Sequence, residues 1–295
     1  MKKIAFYGRN IPDDFKSSMT IMLQWIKSNK LETYVYHSFF ESLHQLGFTE
    51  EMKVKSTFTG HQDMPKGLDA VFCIGGDGTF LEAVSLVKDA GIPLIGINSG
   101  RLGFLANITI DELPTALDLI QEGEFVIEER SLLQLKSDQF SFPGYDSALN
   151  EFTVYKRDSS SMISIKTSIN GVYLNTYWAD GLIISTPTGS TAYSLSVGGP
   201  ILAPDSNVFV LSPIAPHNMT VRPLVVSNES EITLIVESRS GNCMVSLDHH
   251  SCTIDSGIEL HIRKADYKIN MIRLKNQNFY NTLRQKLMWG ADKRN

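Results

Sequence analysis

Apolar positions along the chain follow two successive rhythms. Up to about residue 125, short apolar runs alternate with segments whose apolar residues recur every three or four positions. Lys3 to Gly8 reads as a strand, and Phe15, Met19, Met22, Leu23 and Ile26 mark one face of a helix. Thr33 to Tyr36 reads as a second strand and Phe39 to Leu46 as a short helix. Leu68 to Ile74 is a third strand, followed at once by a helical pattern on Phe80, Ala83, Val84 and Val87. The strand Ile92 to Asn98 and the helix Glu112 to Gln121, with Pro114 in its first turn, complete the series. Such alternation predicts a parallel sheet with helices on both faces and ligands beyond the carboxyl ends of its strands.

Past residue 125 the period falls to two. Ile163, Ile165, Thr167 and Ile169 alternate with polar neighbours, and Asn170-Gly171 starts a return run from Val172 to Trp178. Asn-Gly between alternating runs predicts a hairpin, because both turn positions need positive φ. Further short strands are expected at 208–211, 224–226, 232–236, 244–247 and 258–262. This spacing predicts an all-β, sandwich-like domain. A last helix, Phe279 to Trp289, carries Phe279, Leu283 and Leu287 on one side and is expected to return to the N-terminal domain. The predicted division is 1–125 for the α/β domain, 126–274 for the β-sandwich and 275–295 for the returning helix.

The 295 residues suffice for two ordinary domains. Charged residues at 20% and hydrophobic ones at 42% describe a globular chain, and no run approaches the ~18 to 20 apolar residues of a membrane span. Met1-Lys2-Lys3 has no long apolar segment behind it, so it reads as the approach to a strand rather than a secretory signal. Cys73, Cys243 and Cys252 form no C-x-x-C pair and are expected as reduced thiols in a cytoplasm. A net charge of −5 and a pI near 5.8 exclude the basic field that a nucleic-acid partner needs. A nucleotide ligand would have to be neutralised locally.

Chemistry concentrates in four segments. Gly75-Gly76-Asp77-Gly78-Thr79 joins the third strand to its helix. Glycines admit a bulky anion, and free N–H groups at the helix start offer donors to phosphate oxygens. The single carboxylate, Asp77, can hold a metal ion or accept a proton from a hydroxyl. Together these residues indicate phosphoryl transfer, in a form found in more than one kinase superfamily. A second glycine turn, Asn98 to Leu105, follows the next strand; Arg101 within it is a candidate phosphate partner or an ordinary surface ion pair. The stretch Asp180 to Pro200 packs six hydroxyls, Ser185, Thr186, Thr188, Ser190, Thr191 and Tyr193, into nine positions. That density suits ribose, amide and base edges. Last, Asn150-Glu151 sets an amide beside a carboxylate, a pair able to bind two ribose hydroxyls or to start a turn.

Taken together, these segments resemble the NAD kinases, which phosphorylate the 2′-hydroxyl of the adenosine ribose of NAD. The likeness covers most of the chain and is most specific at Gly75–Leu81, Asn150-Glu151 and Asp180–Pro200. It implies an α/β N-terminal domain, a β-sandwich C-terminal domain and a returning helix. It also implies Asp77 as the catalytic carboxylate, with Gly78 beside the substrate and Gly75, Gly76, Thr79 and Arg101 toward the donor phosphates. Asn150 and Glu151 would grip the adenosine ribose, and Asp180 would meet the nicotinamide side. Thr188, Thr191, Ala192, Tyr193, Ser194, Leu195, Ser196 and Ala215 would line the dinucleotide pocket. ATP or polyphosphate would be the donor, with Mg²⁺ carried on its phosphates and no fixed protein ligands for it. Members are homo-oligomers, so a dimer or tetramer is implied, the neighbouring subunit completing the pocket. Asp248-His249-His250 departs from the family's Asp-Gly-Gln, and Trp178 stands where many members carry a basic residue. Two alternatives share parts of the pattern: a diacylglycerol-type lipid kinase with the same turn, and a non-catalytic NAD(P) sensor.

Overall fold

The computed structural model describes residues 1–100, 102–157 and 161–290. In chain order its elements begin with β1 (Lys3–Gly8), α1 (Lys16–Ser28), β2 (Glu32–Tyr36), α2 (His37–Gln45), α3 (Thr49–Met52), β3 (Ser56–Phe58), β4 (Ala70–Gly75), α4 (Asp77–Val87), β5 (Leu94–Asn98) and α5 (Leu113–Glu122). Strands then dominate: β6 (Phe125–Lys136), β7 (Ser147–Ala148), β8 (Glu151–Tyr155), β9 (Ile163–Ile169), β10 (Val172–Ala179) and β11 (Gly181–Ser185). One helical turn, α6 (Tyr193–Ser196), precedes β12 (Val208–Ile214), β13 (Leu224–Ser227), β14 (Ile232–Glu237), β15 (Asn242–Leu247), β16 (His250–Asp255) and β17 (Glu259–Leu274). The helix α7 (Phe279–Leu287) comes last. The chain divides into two compact units, one of residues 1–129 with 269–295 and the other of residues 130–268.

In the first unit the strands run parallel in the order β5-β4-β1-β2-β3. Parallel neighbours need a crossover, and the helices that supply it bury both faces of the sheet. Every residue of β4 is accordingly buried. Met19, Met22, Leu23 and Ile26 of α1 turn inward as their spacing requires, and Phe6, Phe72 and Trp25 stack at the centre. Gly75 at the end of β4 pairs with Asn98 at the end of β5, so the two glycine-rich turns leave the sheet side by side. Near the C-terminus, Met271 of β17 pairs with Leu94, and α7 is capped by Asn278, whose side-chain oxygen accepts the Asn281 N–H at 2.9 Å.

In the second unit a six-stranded sheet, β13-β12-β11-β8-β15-β16, is antiparallel throughout. A second antiparallel set, β10-β9-β14, continues onto the first residues of β17. Phe152, Val154, Leu182, Ile184, Phe209 and Leu211 from one set share a core with Ile163, Ile165, Ile232, Leu234, Leu260 and Ile262 from the other. This is a sandwich. Asn170 (φ 50°) and Gly171 (φ 76°) form the turn that the Asn-Gly pair predicts. The strand expected at 258–262 runs on to Leu274, with Ala265, Ile269 and Met271 buried along it after the alternation shifts phase past Ile262. The strand His250–Asp255 was not foreseen, since it is mostly polar and exposed. Among the described residues no helix is long and apolar enough to cross a membrane.

Candidate active site

In the first unit the site is built around the turn after β4. A Cβ on Gly75 would stand 2.3 Å from Thr79 Oγ1, so the chain can double back there only with glycine. Gly76 and Gly78 differ. Each would project a Cβ into open space, and neither has positive φ. Gly78 moreover lies in the first turn of α4, where glycine costs about 1 kcal/mol against alanine. Packing gives no reason for these two glycines. No side chain caps α4, which leaves the N–H groups of its first turn available to an anion.

Asp77, the first residue of α4, accepts three successive backbone N–H groups, from Phe104 (2.9 Å), Leu105 (3.0 Å) and Ala106 (3.0 Å). Lys286 Nζ, in the last turn of α7, lies 3.5 Å from Asp77 Oδ2. Of the carboxylate's roughly four lone-pair sites, three are thus taken by main chain. A Cβ on Gly103 would stand 1.9 Å from Asp77 Oδ1, so this glycine is what lets the second loop wrap the carboxylate. Asn98 shapes the same loop: its Oδ1 accepts the Gly100 N–H at 2.7 Å and its Nδ2 donates to the Ala106 carbonyl at 3.2 Å. Arg101 lies outside the described residues.

In the second unit Asn150 and Glu151 open β8 and are buried. The backbone N–H groups of Leu149, Asn150 and Glu151 all point to the carboxylate of Asp248, a half-buried residue, at 2.8, 2.8 and 3.1 Å. Asp248 sits with φ 50° in the turn between β15 and β16. Glu151 Oε2 is buried without a partner among the described residues, while the other side of this carboxyl group takes the backbone N–H of Tyr193. Burial, and secondly the Asp248 charge, push the Glu151 pKa up to about 8. Burial pushes Asp248 up to about 6, against the pull of its three N–H donors. Burial thus favours the protonated form of Glu151.

The hydroxyl-rich stretch folds back on this pair. Ser185 pairs with Glu151 across β11 and β8, Thr186 N–H donates to the Asn150 carbonyl at 2.8 Å, and a Cβ on Gly189 would stand 2.1 Å from that same oxygen. Many hydroxyls turn inward rather than toward a ligand. Thr186 donates to the Leu149 carbonyl, Ser190 to Pro187, Thr191 to Thr188, and Ser194 bonds Ser212 at 3.1 Å. Thr188 is buried; Tyr193 and Ser196 are exposed, and Thr191, Ala192 and Leu195 are half-buried. Asp180 lies elsewhere. Its N–H donates to the Ile214 carbonyl at the other end of β11, and its carboxylate pairs with Lys156 at 2.7 Å. Ala215 follows there, exposed and at φ 44°, a conformation alanine adopts at a cost of about 1 kcal/mol or more. Four strand residues, about 13 Å, separate this end of β11 from the Glu151 end.

Two residues of this geometry were not assigned a role from the sequence. Asp248 could have been suspected from its place in the departing triplet, but Lys286 sits in an ordinary amphipathic pattern. No group of three or more His, Cys, Asp or Glu side chains converges among the described residues, His249 and His250 included.

A glycine turn at the carboxyl edge of a parallel sheet, an uncapped helix start and one carboxylate held at its mouth define a phosphotransferase. Comparison with known proteins gives the family. Residues 4–125 match the model of the ATP-NAD kinase N-terminal domain, and residues 149–274 that of the C-terminal domain. The NAD kinase of Flavobacterium psychrophilum is 43% identical, with 99% of this chain and 100% of the relative covered. That of Bacteroides fragilis is 53% identical over 77% of this chain and 78% of its own. Among solved structures, the NAD kinase of Archaeoglobus fulgidus in complex with ATP superposes with a TM-score of 0.74 at 25% identity, covering 97% of this chain and 98% of that one. Yeast NADH kinase complexed with NADH gives 0.81 at 21% identity, covering 99% and 89%, and shows the shared fold. The chain belongs to the NAD kinase family.

Proposed function

We propose that the reaction is in-line transfer of a phosphoryl group from ATP, or another phosphate donor, to the 2′-hydroxyl of the adenosine ribose of NAD, at a centre built on Asp77. The donor phosphates would lie over Gly76 and Gly78 and take the N–H groups at the start of α4. Asp77 would orient the attacking hydroxyl through its remaining lone pair and receive its proton. Gly75, Thr79 and Gly103 support that seat, and Arg101 would add charge. Asn150 and Glu151 would hold the ribose, with the stretch from Thr188 to Ser196 along the dinucleotide. The bond from the acceptor oxygen to phosphorus forms as the bond to the leaving phosphate breaks. Magnesium would arrive on the donor as part of the substrate, bridging its phosphate oxygens.

What carries this proposal is the pair of glycines with nothing near them, beside a carboxylate held in place by three main-chain donors. A coupled assay that scans donors with NAD and reads NADP tests it; absence of NADP with every donor sinks it. Diacylglycerol in place of NAD tests the lipid-kinase alternative in the same format.

The separation of Asp180 and Ala215 from Glu151 along β11 supports completion of each pocket by a second copy, as the family resemblance implies. Mixing an Asp77→Asn protein with an Asp180→Asn protein should then regenerate activity in mixed oligomers, through active pockets that draw on both copies. Strictly additive, near-zero activity on mixing would argue for self-sufficient subunits. Three free thiols, Cys73 and Cys243 of them buried, support a reducing, cytoplasmic setting.

A further inference from the structure

We propose that Lys286 is a catalytic residue, whose ammonium binds the migrating phosphoryl group and offsets the charge that develops on it. The role rests on the donor seating given above.

The position of Lys286 is set by its helix. Phe279, Leu283 and Lys286 follow one another at spacings of four and three, so they share a face of α7. Leu283 on that face is buried, and the Phe279 ring meets Phe104 at 6.4 Å between centroids. Lys286 extends the same stripe and is carried inward with it: Nζ lies 4.7 Å from the Phe104 ring centroid and 3.5 Å from Asp77 Oδ2. The Asn278 cap fixes the opposite end of the helix. Tertiary packing thus delivers an ammonium to the edge of the glycine turn, from 209 residues away in the chain.

The contact with Asp77 does not explain the lysine. Three main-chain N–H groups at 2.9 to 3.0 Å already satisfy that carboxylate, and 3.5 Å is the outer limit of a hydrogen bond. Both side chains remain about one-third exposed, at 31% and 30%, so the pair is worth little as an ion pair. An ammonium carries three donors, and one is used here. The space over Gly76 and Gly78 stands open beside it.

A phosphoryl group in flight needs a cation in that place. A hydroxyl bonded to Asp77 would have its oxygen about 2.7 Å away, and the phosphorus it attacks about 3 to 3.5 Å further. With Nζ 3.5 Å from Asp77 Oδ2 on a flexible four-carbon stem, Lys286 stands on the side of the carboxylate from which such a phosphorus could be met. In a chain of net charge −5 the donor's charge must be met by local groups. The phosphoryl oxygens gain a fixed positive partner while the bond to the acceptor oxygen forms and that to the leaving phosphate breaks. The hydroxyl's proton passes to Asp77.

The test uses the full chain with Lys286→Met and Lys286→Arg, under NAD and donor saturation. The methionine variant should lose about 10²-fold in kcat, with calorimetric NAD affinity within about threefold and an unchanged melting temperature. Arginine should recover at least about tenfold of that loss, since it keeps the charge. A kcat within about threefold of the parent for Lys286→Met overturns the role. A double-mutant cycle excludes the simpler idea that Lys286 only steadies Asp77. A phosphate-binding lysine costs activity again in an Asp77→Asn background, and a lysine acting through Asp77 costs nothing further there; that second result overturns the proposal. Parent protein that makes no NADP at all would instead remove the donor seating on which the role depends.

Discussion

The two units use the same device for different ends. In the first, Asp77 collects the N–H groups of residues 104–106; in the second, Asp248 collects those of 149–151. In each case one aspartate fixes a loop by three successive main-chain donors. The difference lies in what surrounds each carboxylate. Asp77 starts α4 at the glycine turn, with Lys286 Nζ 3.5 Å away. Asp248, half-buried like Asp77, orders the backbone of the buried Asn150 and Glu151, and its charge helps push the Glu151 pKa up. The same loop-ordering carboxylate thus stands beside an ammonium in one unit and beside a second, buried carboxyl group in the other.

The largest expected effect separates the two on activity. Asp77→Asn should lower turnover ~10²- to 10⁴-fold and leave NAD binding within a few-fold. Near-normal turnover would remove the assignment. On stability the order reverses. Asp248→Ala leaves three buried N–H groups without an acceptor and should cost about 3 kcal/mol in urea unfolding, against about 1 kcal/mol for Asp77→Ala, where water replaces the carboxylate. Equal losses would erase the distinction drawn between the two aspartates.

A subtler contrast concerns glycine. Gly78→Ala should hold or raise stability, by up to about 1 kcal/mol, because it adds a helix former where nothing clashes. Turnover should nonetheless fall by about tenfold or more if donor phosphates occupy that space. An alanine variant that is both stable and fully active would show that the open space is not a ligand seat.

A further contrast concerns pH dependence. Folded Glu151 holds its proton up to about pH 8, and the unfolded chain releases it near 4.5. The folded state therefore binds more protons through that window, and its stability falls as pH rises from 4.5 toward about 8. Asp248 adds a slope of the same sign between 3.8 and about 6. Melting curves of ligand-free protein should show the decline, and Glu151→Gln should flatten it. A parent slope retained in the glutamine variant would place the titration elsewhere.

Much of this architecture is legible in periodicity. The Asn170-Gly171 hairpin, the inward face of α1 and the strand-to-helix turn at Gly75 each follow from local steric rules acting over a few residues. Other features exceed that range. The exposed strand His250–Asp255 has no apolar face to announce it, and β17 runs far beyond the strand expected at 258–262 because both units use it. The hydroxyl count between Ser185 and Tyr193 likewise does not reveal that Thr186, Ser190 and Thr191 donate to main-chain carbonyls.

Composition, period and glycine placement settled which layers form and where a phosphate could approach, because strand alternation, helix spacing and tight turns are decided by neighbours in the chain. Which loop each aspartate ties, which carboxyl group has its pKa pushed up by burial, and which lysine stands at the glycine turn were decided only by packing. Burial and electrostatic contact join residues 97 to 209 positions apart. No local pattern encodes those distances, so the charges that matter took their meaning from the folded chain.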